Sequence, residues 1–266
     1  MKIAWTSRKG QQRHYNSDAV ALGYAGPYLV AVIVDAAERA VEGRLRVGIN
    51  SQGKRLATYW ADSCVAAMRK AHREAGQGQG TVLTTEEPLL TLLLQQQRAL
   101  KADYLHDIAS YGVLILNTET GDMRWWYTGD CRIGLRDQNG AIEWLNTPHR
   151  LESSTLLQAW QGAEAAVLTA TEQQAARHTL TQSLNARRFT RPTLVTAQLP
   201  VNAVTEASTP DAAIVLATDG YWCEHLRHGT AMAELDDDAS VLTLTPGKRS
   251  LSLQTDTPNL LITYTK

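Results

Sequence analysis

Short apolar runs with strand-like alternation lie toward both ends of the chain, and between them apolar residues recur at helical spacing. Lys2 to Thr6, Asp18 to Gly23 and Tyr28 to Asp35 read as strands, and the last sets a carboxylate directly after Val30, Val32 and Val34. From Lys54 to Glu74, Leu56, Trp60, Cys64, Met68 and Ala71 share one side of a helix, which the glycine- and glutamine-rich stretch 76–80 ends. Leu89, Leu90, Leu93, Leu94 and Leu100 predict a second helix from Glu86 to His106. Tyr111 to Asn117, Met123 to Thr128, Arg132 to Arg136 and Ala141 to Leu145 return to strand character, with Asn139-Gly140 as a hairpin signal. A helix is expected over Thr171 to Leu184, strands over Pro192 to Gln198 and Ala212 to Thr218, and further strands after Ser240 with a turn at Pro246-Gly247. Strands that flank a helical pair predict an α+β fold, with helices outside a β-sandwich rather than alternating βαβ units. No repeat or linker divides the chain, so one domain over residues 1–266 is expected.

With 266 residues, 44% of them hydrophobic, the chain can bury a large core. Lysine plus arginine (26) nearly balance aspartate plus glutamate (27), so there is no broad basic field for nucleic acid or an anionic membrane surface. The segment Met1 to Gly10 lacks the apolar stretch of a signal peptide, and the longest apolar run, Tyr28 to Val34, is too short to span a bilayer. A cytoplasmic protein is expected. Cys64, Cys131 and Cys223 are far apart and form no CxxC pair, which argues against a disulfide framework or a zinc site.

Four segments put a carboxylate, often beside glycine, at the end of an apolar strand: Asp35, Asp130 in Thr128-Gly-Asp-Cys-Arg132, Asp219 in Ala217-Thr-Asp-Gly220, and Asp236-Asp-Asp-Ala-Ser240. Each alone is an ordinary turn or cap residue. Brought together without histidine or thiol, they suit hard cations such as Mg2+ or Mn2+, which prefer oxygen ligands.

The order of these segments resembles that of the PPM family, the type-2C metal-dependent serine/threonine phosphatases, from end to end. Gly10-Gln-Gln-Arg13-His-Tyr-Asn16-Ser-Asp18-Ala19 is similar to the family's G-x-x-R-x-x-N-x-D-A opening, and Val32-Ile-Val-Asp35 to its metal-binding strand. Ser110-Tyr-Gly-Val-Leu-Ile-Leu116 resembles the glycine-led strand that follows, and Tyr127-Thr-Gly-Asp-Cys-Arg132 stands at the place of G-D-S-R. Thr147-Pro-His149 resembles T-x-D-H without its aspartate, and Leu180-Thr-Gln-Ser-Leu184 resembles L-T-R-A-L. Val215-Leu-Ala-Thr-Asp-Gly-Tyr-Trp222 is similar to L-L-x-S-D-G-L-W, and Asp237-Asp-Ala-Ser-Val241 to the closing D-N/D-x-S/T-V.

The resemblance implies a four-layer αββα sandwich of two antiparallel sheets flanked by helical pairs. It also implies two Mn2+ or Mg2+ ions with a weaker third. Asp35 would bridge the two ions, Asp219 and Asp237 would complete their ligands together with the Ala36 carbonyl, and Asp130 would hold the third. Arg13 would clamp a phosphate, while Asn16 and Asp18 would support the ligands. The implied reaction is hydrolysis of phosphoserine and phosphothreonine on a phosphorylated protein, opposing a cognate serine/threonine kinase. Catalytic roles would fall to Arg13, Asp35 and Asp219.

Departures from the pattern keep a second reading open. The family's D-G-H-G-G is Asp35-Ala-Ala-Glu-Arg39 here, without its glycines and histidine, and Val113 and Leu114 replace small hydroxyl residues. A pseudophosphatase that binds a phosphoprotein or a kinase is the alternative, and a phosphohydrolase of small molecules is a further one. Asp256 competes with Asp237 as the last ligand, because the interval from Asp219 to Asp237 is short for the family; Asp237 is preferred for its ungapped motif, with Asp236 and Asp238 beside it as solvated turn or ligand. The segment Gly48 to Arg55 lacks the Ser or Thr of a phosphate-binding loop, and His225 with His228 lacks a third ligand.

Overall fold

The computed structural model describes residues 1–37, 53–75, 83–100, 104–153, 169–199 and 212–263. The glycine-rich break at 76–80, most of the loop before residue 53, and positions 38 and 39 of the altered motif lie outside the described residues. Two mixed sheets face one another. Strands β1 (Lys2–Arg8), β2 (Asp18–Ala25), β3 (Tyr28–Ala36), β4 (Ile108–Asn117), β5 (Asp122–Thr128), β6 (Arg132–Arg136) and β7 (Ile142–Trp144) come first in sequence. Then follow β8 (Leu184–Asn185), β9 (Thr193–Gln198), β10 (Ala213–Ala217), β11 (Ala239–Thr245), β12 (Ser250–Thr255) and β13 (Leu260–Thr263). The first sheet runs β12-β1-β11-β10-β6-β7, and the second runs β13-β2-β3-β4-β5-β9 with β8 paired to β4.

The long apolar runs are explained by burial on both faces. In β3, Leu29, Ala31 and Ile33 meet Trp5, Ile214, Leu216 and Leu242 of the facing sheet. Val30, Val32 and Val34 instead meet Leu56, Trp60, Cys64 and Met68 of helix α1 (Gly53–Glu74) and Leu89 and Leu93 of α2 (Glu86–Arg98). A strand covered on both sides has no polar face to alternate with, so it reads as a continuous apolar stretch. Behind the first sheet, a π-helical segment, Gly220–Arg227, lays Trp222 and Cys223 against Val215, Ala217 and Val241. Helix, sheet, sheet and helix form the layers that the motifs imply.

Three expectations change. The sheets are not purely antiparallel: after Pro246-Gly247 the chain crosses to the far side of β1, so β12 lies parallel to β1, and β13 likewise lies parallel to β2. Helix α2 stops at Arg98, where the Ala99 N–H bonds back to the Gln95 and Gln96 carbonyls; of the expected continuation among the described residues, Leu100 and Tyr104 pack on the core and Leu105 is exposed. The helix expected over Thr171 to Leu184 is α3, Ala170–His178, started by a capping box between Thr169 and Glu172. Leu180 then bridges to Arg150, and Leu184 pairs with Ala109 of β4.

Candidate metal centre

Strand register sets one half of the site. Asp18 on β2 is paired with Asp35 near the end of β3, and Asp35 with Ser110 on β4, so the three lie in a row across the second sheet. The first sheet supplies the other half: Thr218 and Asp219 follow β10, while Asp237 and Asp238 precede the neighbouring β11. The β5–β6 turn adds Asp130. Its Gly129 has φ +90°, and a Cβ there would run into the Ser110 side chain, so glycine meets both the backbone and the packing demand.

Asp35 and Asp219 come together across the two sheets, close enough for each to shift the other's ionisation. Burial raises Asp35 well above the usual carboxylate range, and Asp219, Asp18, Asp130 and Asp237 raise it further. Burial, then Asp130 and Asp237, push Asp219 up to about 7 against the opposing pull of Arg150. Like charges pressed together in a site of low polarity resist ionisation together. Asp18 is buried beside them, also raised by burial and by Asp238. Its Oδ2 accepts from Thr218 Oγ1 at 3.0 Å, and its Oδ1 is buried with no hydrogen-bond partner. Asn16 accepts from the Asp18 N–H and donates to Ser7 Oγ, which fixes the opening motif behind the cluster.

Two arginines enter this group. Arg13 grips Asp237 through both oxygens, Nε to Oδ1 at 2.7 Å and Nη2 to Oδ2 at 2.6 Å, with its side chain 31% exposed. Arg150 is 1% exposed and bridges two aspartates: Nε to Asp130 Oδ2 at 2.7 Å and Nη2 to Asp219 Oδ2 at 2.6 Å. Ser110 Oγ donates to the other oxygen of Asp130 at 2.6 Å. The Arg150 guanidinium lies 4.7 Å from the centre of the Trp222 ring, whose Nε1 donates to the Asp130 carbonyl at 2.9 Å. Arg132 stacks on the same indole and on Trp144. His149 anchors the segment just before Arg150. Its Nδ1 accepts from the Gly129 N–H, its ring stacks on Tyr127, and burial lowers its pKa, so it stays neutral with its proton on Nε2 toward Thr193.

The remaining sequence candidates divide cleanly. Ala36 sits at the end of β3, 3% exposed, its N–H donating to the Ser17 carbonyl. Asp238 spends both oxygens on backbone, accepting from Gly10 N at 2.9 Å and Ser17 N at 2.7 Å, so it is a latch for the opening motif. Asp236 is exposed. Asp256 accepts from the Lys9 N–H on the exposed side of β1 and makes no described contact with Asp35 or Asp219.

Among the described residues, no three acidic, histidine or cysteine side chains stand as a ready coordination shell. The reason is visible: Asp237 is turned into Arg13, and Asp219 and Asp130 into Arg150. The donor chemistry nevertheless fits a hard dication beside Asp35 and Asp219, where an all-oxygen set carries excess negative charge and Asp18 leaves an oxygen unsatisfied.

No model of a known family and no curated protein matches the sequence. Solved structures do. A serine/threonine phosphatase of S. agalactiae matches with a TM-score of 0.63 at 16% identity, over 92% of this chain and 99% of that one. The fold is that of the bacterial serine/threonine phosphatases. A Staphylococcus aureus serine/threonine phosphatase superposes with a TM-score of 0.64 at 14% identity, over 93% and 96% of the two chains, and the Mycobacterium tuberculosis phosphatase PstP with 0.58 at 16%, over 93% and 99%. The PPM resemblance carried by short motifs thus extends to the architecture, and at these identities it is the fold that is shared.

Within that phosphatase fold, Arg150 and the contacts of Ser110 and Trp222 with Asp130 join the site without having been expected from the motifs. A signal for Arg150 was present: it directly follows Thr147-Pro-His149, the motif that lacks its aspartate, so a full positive charge comes right after a segment that has lost a negative one.

Proposed function

We propose that the protein is a metal-dependent serine/threonine protein phosphatase of the PPM type, acting on phosphoserine and phosphothreonine in proteins and opposing a cognate kinase in the cytoplasm. The observation that carries the reading is the meeting of Asp35 and Asp219, 184 positions apart in the chain by their numbers, in one acidic cluster at the edge of the sandwich. Asp35, Asp219 and Asp237 would hold Mn2+ or Mg2+, with the Ala36 carbonyl beside them. A bound dication supplies a water of lowered pKa and neutralises charge on the phosphoryl oxygens.

The chain's own residues would do the rest. Arg13 presents a planar fork matched to phosphate oxygens, and its partial exposure allows it to turn from Asp237 to a substrate once Asp237 has another cation. Asp18 and Asn16 hold the β2 end of the cluster in place. Beside Asp219 opens a cavity of about 330 Å³ lined by Arg150, Arg177, His178, His228 and Glu224, wide enough for a phosphorylated side chain.

The test is phosphate release from a phosphothreonine peptide and from p-nitrophenyl phosphate, with Mn2+ or Mg2+ and with EDTA. Release with metal that EDTA abolishes is the expected result, and absence of turnover with every divalent ion would overturn it. One observation favours the second reading, a pseudophosphatase that binds a phosphoprotein or kinase: Arg150 already engages Asp219. In that case calorimetry would find phosphopeptide bound without turnover.

A further inference from the structure

We propose that Arg150 is a built-in cation that holds the place of a divalent ion between Asp130 and Asp219. The geometry is that of a filled cation site. One oxygen of each aspartate points at the same guanidinium at 2.6 to 2.7 Å, and Ser110 satisfies the remaining oxygen of Asp130. Asp130 leads into β6 and Asp219 follows the neighbouring β10, so the two carboxylates emerge side by side, and each sits among further acidic groups, so something positive must lie between them for the fold to close. A planar guanidinium reaches both with separate N–H groups, as a dication would through two coordination bonds.

The contrast with Arg13 decides that this cation is permanent. Arg13 is 31% exposed and holds its aspartate from the solvent side, whereas Arg150 is 1% exposed, with Trp222 on its face and Cys223 Sγ 3.6 Å from Nη1. Releasing Arg150 would require unstacking the indole and breaking both ion pairs, or rebuilding the segment that His149 pins to Gly129. A free ion therefore competes for Asp130 against a tethered cation that never leaves the site.

The inference goes beyond the phosphatase reading and stands whether or not the protein turns over. The experiment counts Mn2+ bound per chain, by equilibrium dialysis with elemental analysis, in the wild type, in Arg150→Gln and in Arg150→Gln with Asp130→Asn. Melting in EDTA is followed alongside. Arg150→Gln is expected to bind one Mn2+ more than the wild type and to melt on the order of 10 °C lower in EDTA, with Mn2+ restoring the loss. The double variant is expected to lose the additional ion. Equal counts in the wild type and Arg150→Gln would overturn the proposal, even if the wild type is an active, metal-loaded phosphatase. A wild type that binds no ion while Arg150→Gln binds one would support it and would sink the phosphatase reading instead. Should Arg150→Gln not fold in EDTA, refolding with Mn2+ decides. Recovery with the ion bound supports the proposal, and failure to recover while the double variant folds overturns it.

Discussion

Removing metal should leave a protein whose stability falls as pH rises, and Asp219 gives the size of the effect. Its carboxyl is pushed from the ordinary 3.8 to about 7 in the fold, chiefly by burial and then by Asp130 and Asp237. In the unfolded chain it ionises near 3.8, so above that value the folded state must either hold a proton that the unfolded state has released or bear a buried charge. The cost begins as pH passes the unfolded value, grows until the folded group ionises near 7, and is constant above. At about 1.4 kcal/mol per tenfold change in proton affinity, the full effect is on the order of 4 kcal/mol, more than half of it developing between pH 5 and pH 8. Asp35 is raised in the same direction and adds to the trend. Asp219→Asn behaves as a carboxyl that cannot ionise, so its stability should change much less over the same interval. The assay is urea denaturation in EDTA at pH 5, 6, 7 and 8 for both proteins, read by tryptophan fluorescence. In saturating Mn2+ the wild-type trend should flatten or reverse, because the ionised form is the one that binds a cation. A metal-free wild type equally stable at pH 5 and pH 8 would refute the reasoning, since it would mean the acidic cluster is not closed off from water.

Other residues give sharper, single-site outcomes. Arg13→Ala should cut kcat/KM for a phosphothreonine peptide roughly 100-fold, the scale of losing a charged donor aimed at the reacting group; unchanged kinetics would remove Arg13 from the site. Asp238→Ala leaves the Gly10 and Ser17 N–H groups without their carboxylate and should cost about 3 to 5 kcal/mol in denaturation, given two charge-assisted hydrogen bonds. A loss below about 1 kcal/mol would mean water takes over the latch. Asp237→Asn should weaken Mn2+ binding by roughly tenfold or more in calorimetry, while Asp256→Asn on the exposed strap beside Lys9 should leave it within about twofold; the reverse ranking would exchange their roles.

Much of the fold was present in the sequence because strands and helices answer to residues close by. The Tyr28 to Asp35 run declared β3, the spacing of Leu56, Trp60, Cys64 and Met68 declared α1, and Asn139-Gly140 declared the β6–β7 turn, where Gly140 has φ +86°. The aspartates were also visible in the sequence, Asp35 and Asp219 at the ends of apolar strands, Asp130 in the β5–β6 turn and Asp237 just ahead of β11. The boundaries that failed are at Arg98 and His178; beyond His178 the apolar pattern continues, but Leu180 bridges to Arg150 and Leu184 pairs with β4, contacts from distant parts of the chain that replace the expected helix.

What the sequence could not decide was how charges are shared once the strands meet. Arg13 and Asp237 are separated by 224 positions, and Arg150 lies 20 from Asp130 and 69 from Asp219. Nothing local couples such residues. Their pairing follows from two sheets closing over one core, which forces carboxylates from both into a space with little water and makes a neighbouring guanidinium the cheapest way to balance them. The chain thus carried its acidic inventory in plain view, whereas the partner of each aspartate, Arg13 for Asp237, the Gly10 and Ser17 N–H groups for Asp238 and the Lys9 N–H for Asp256, was decided only by tertiary packing.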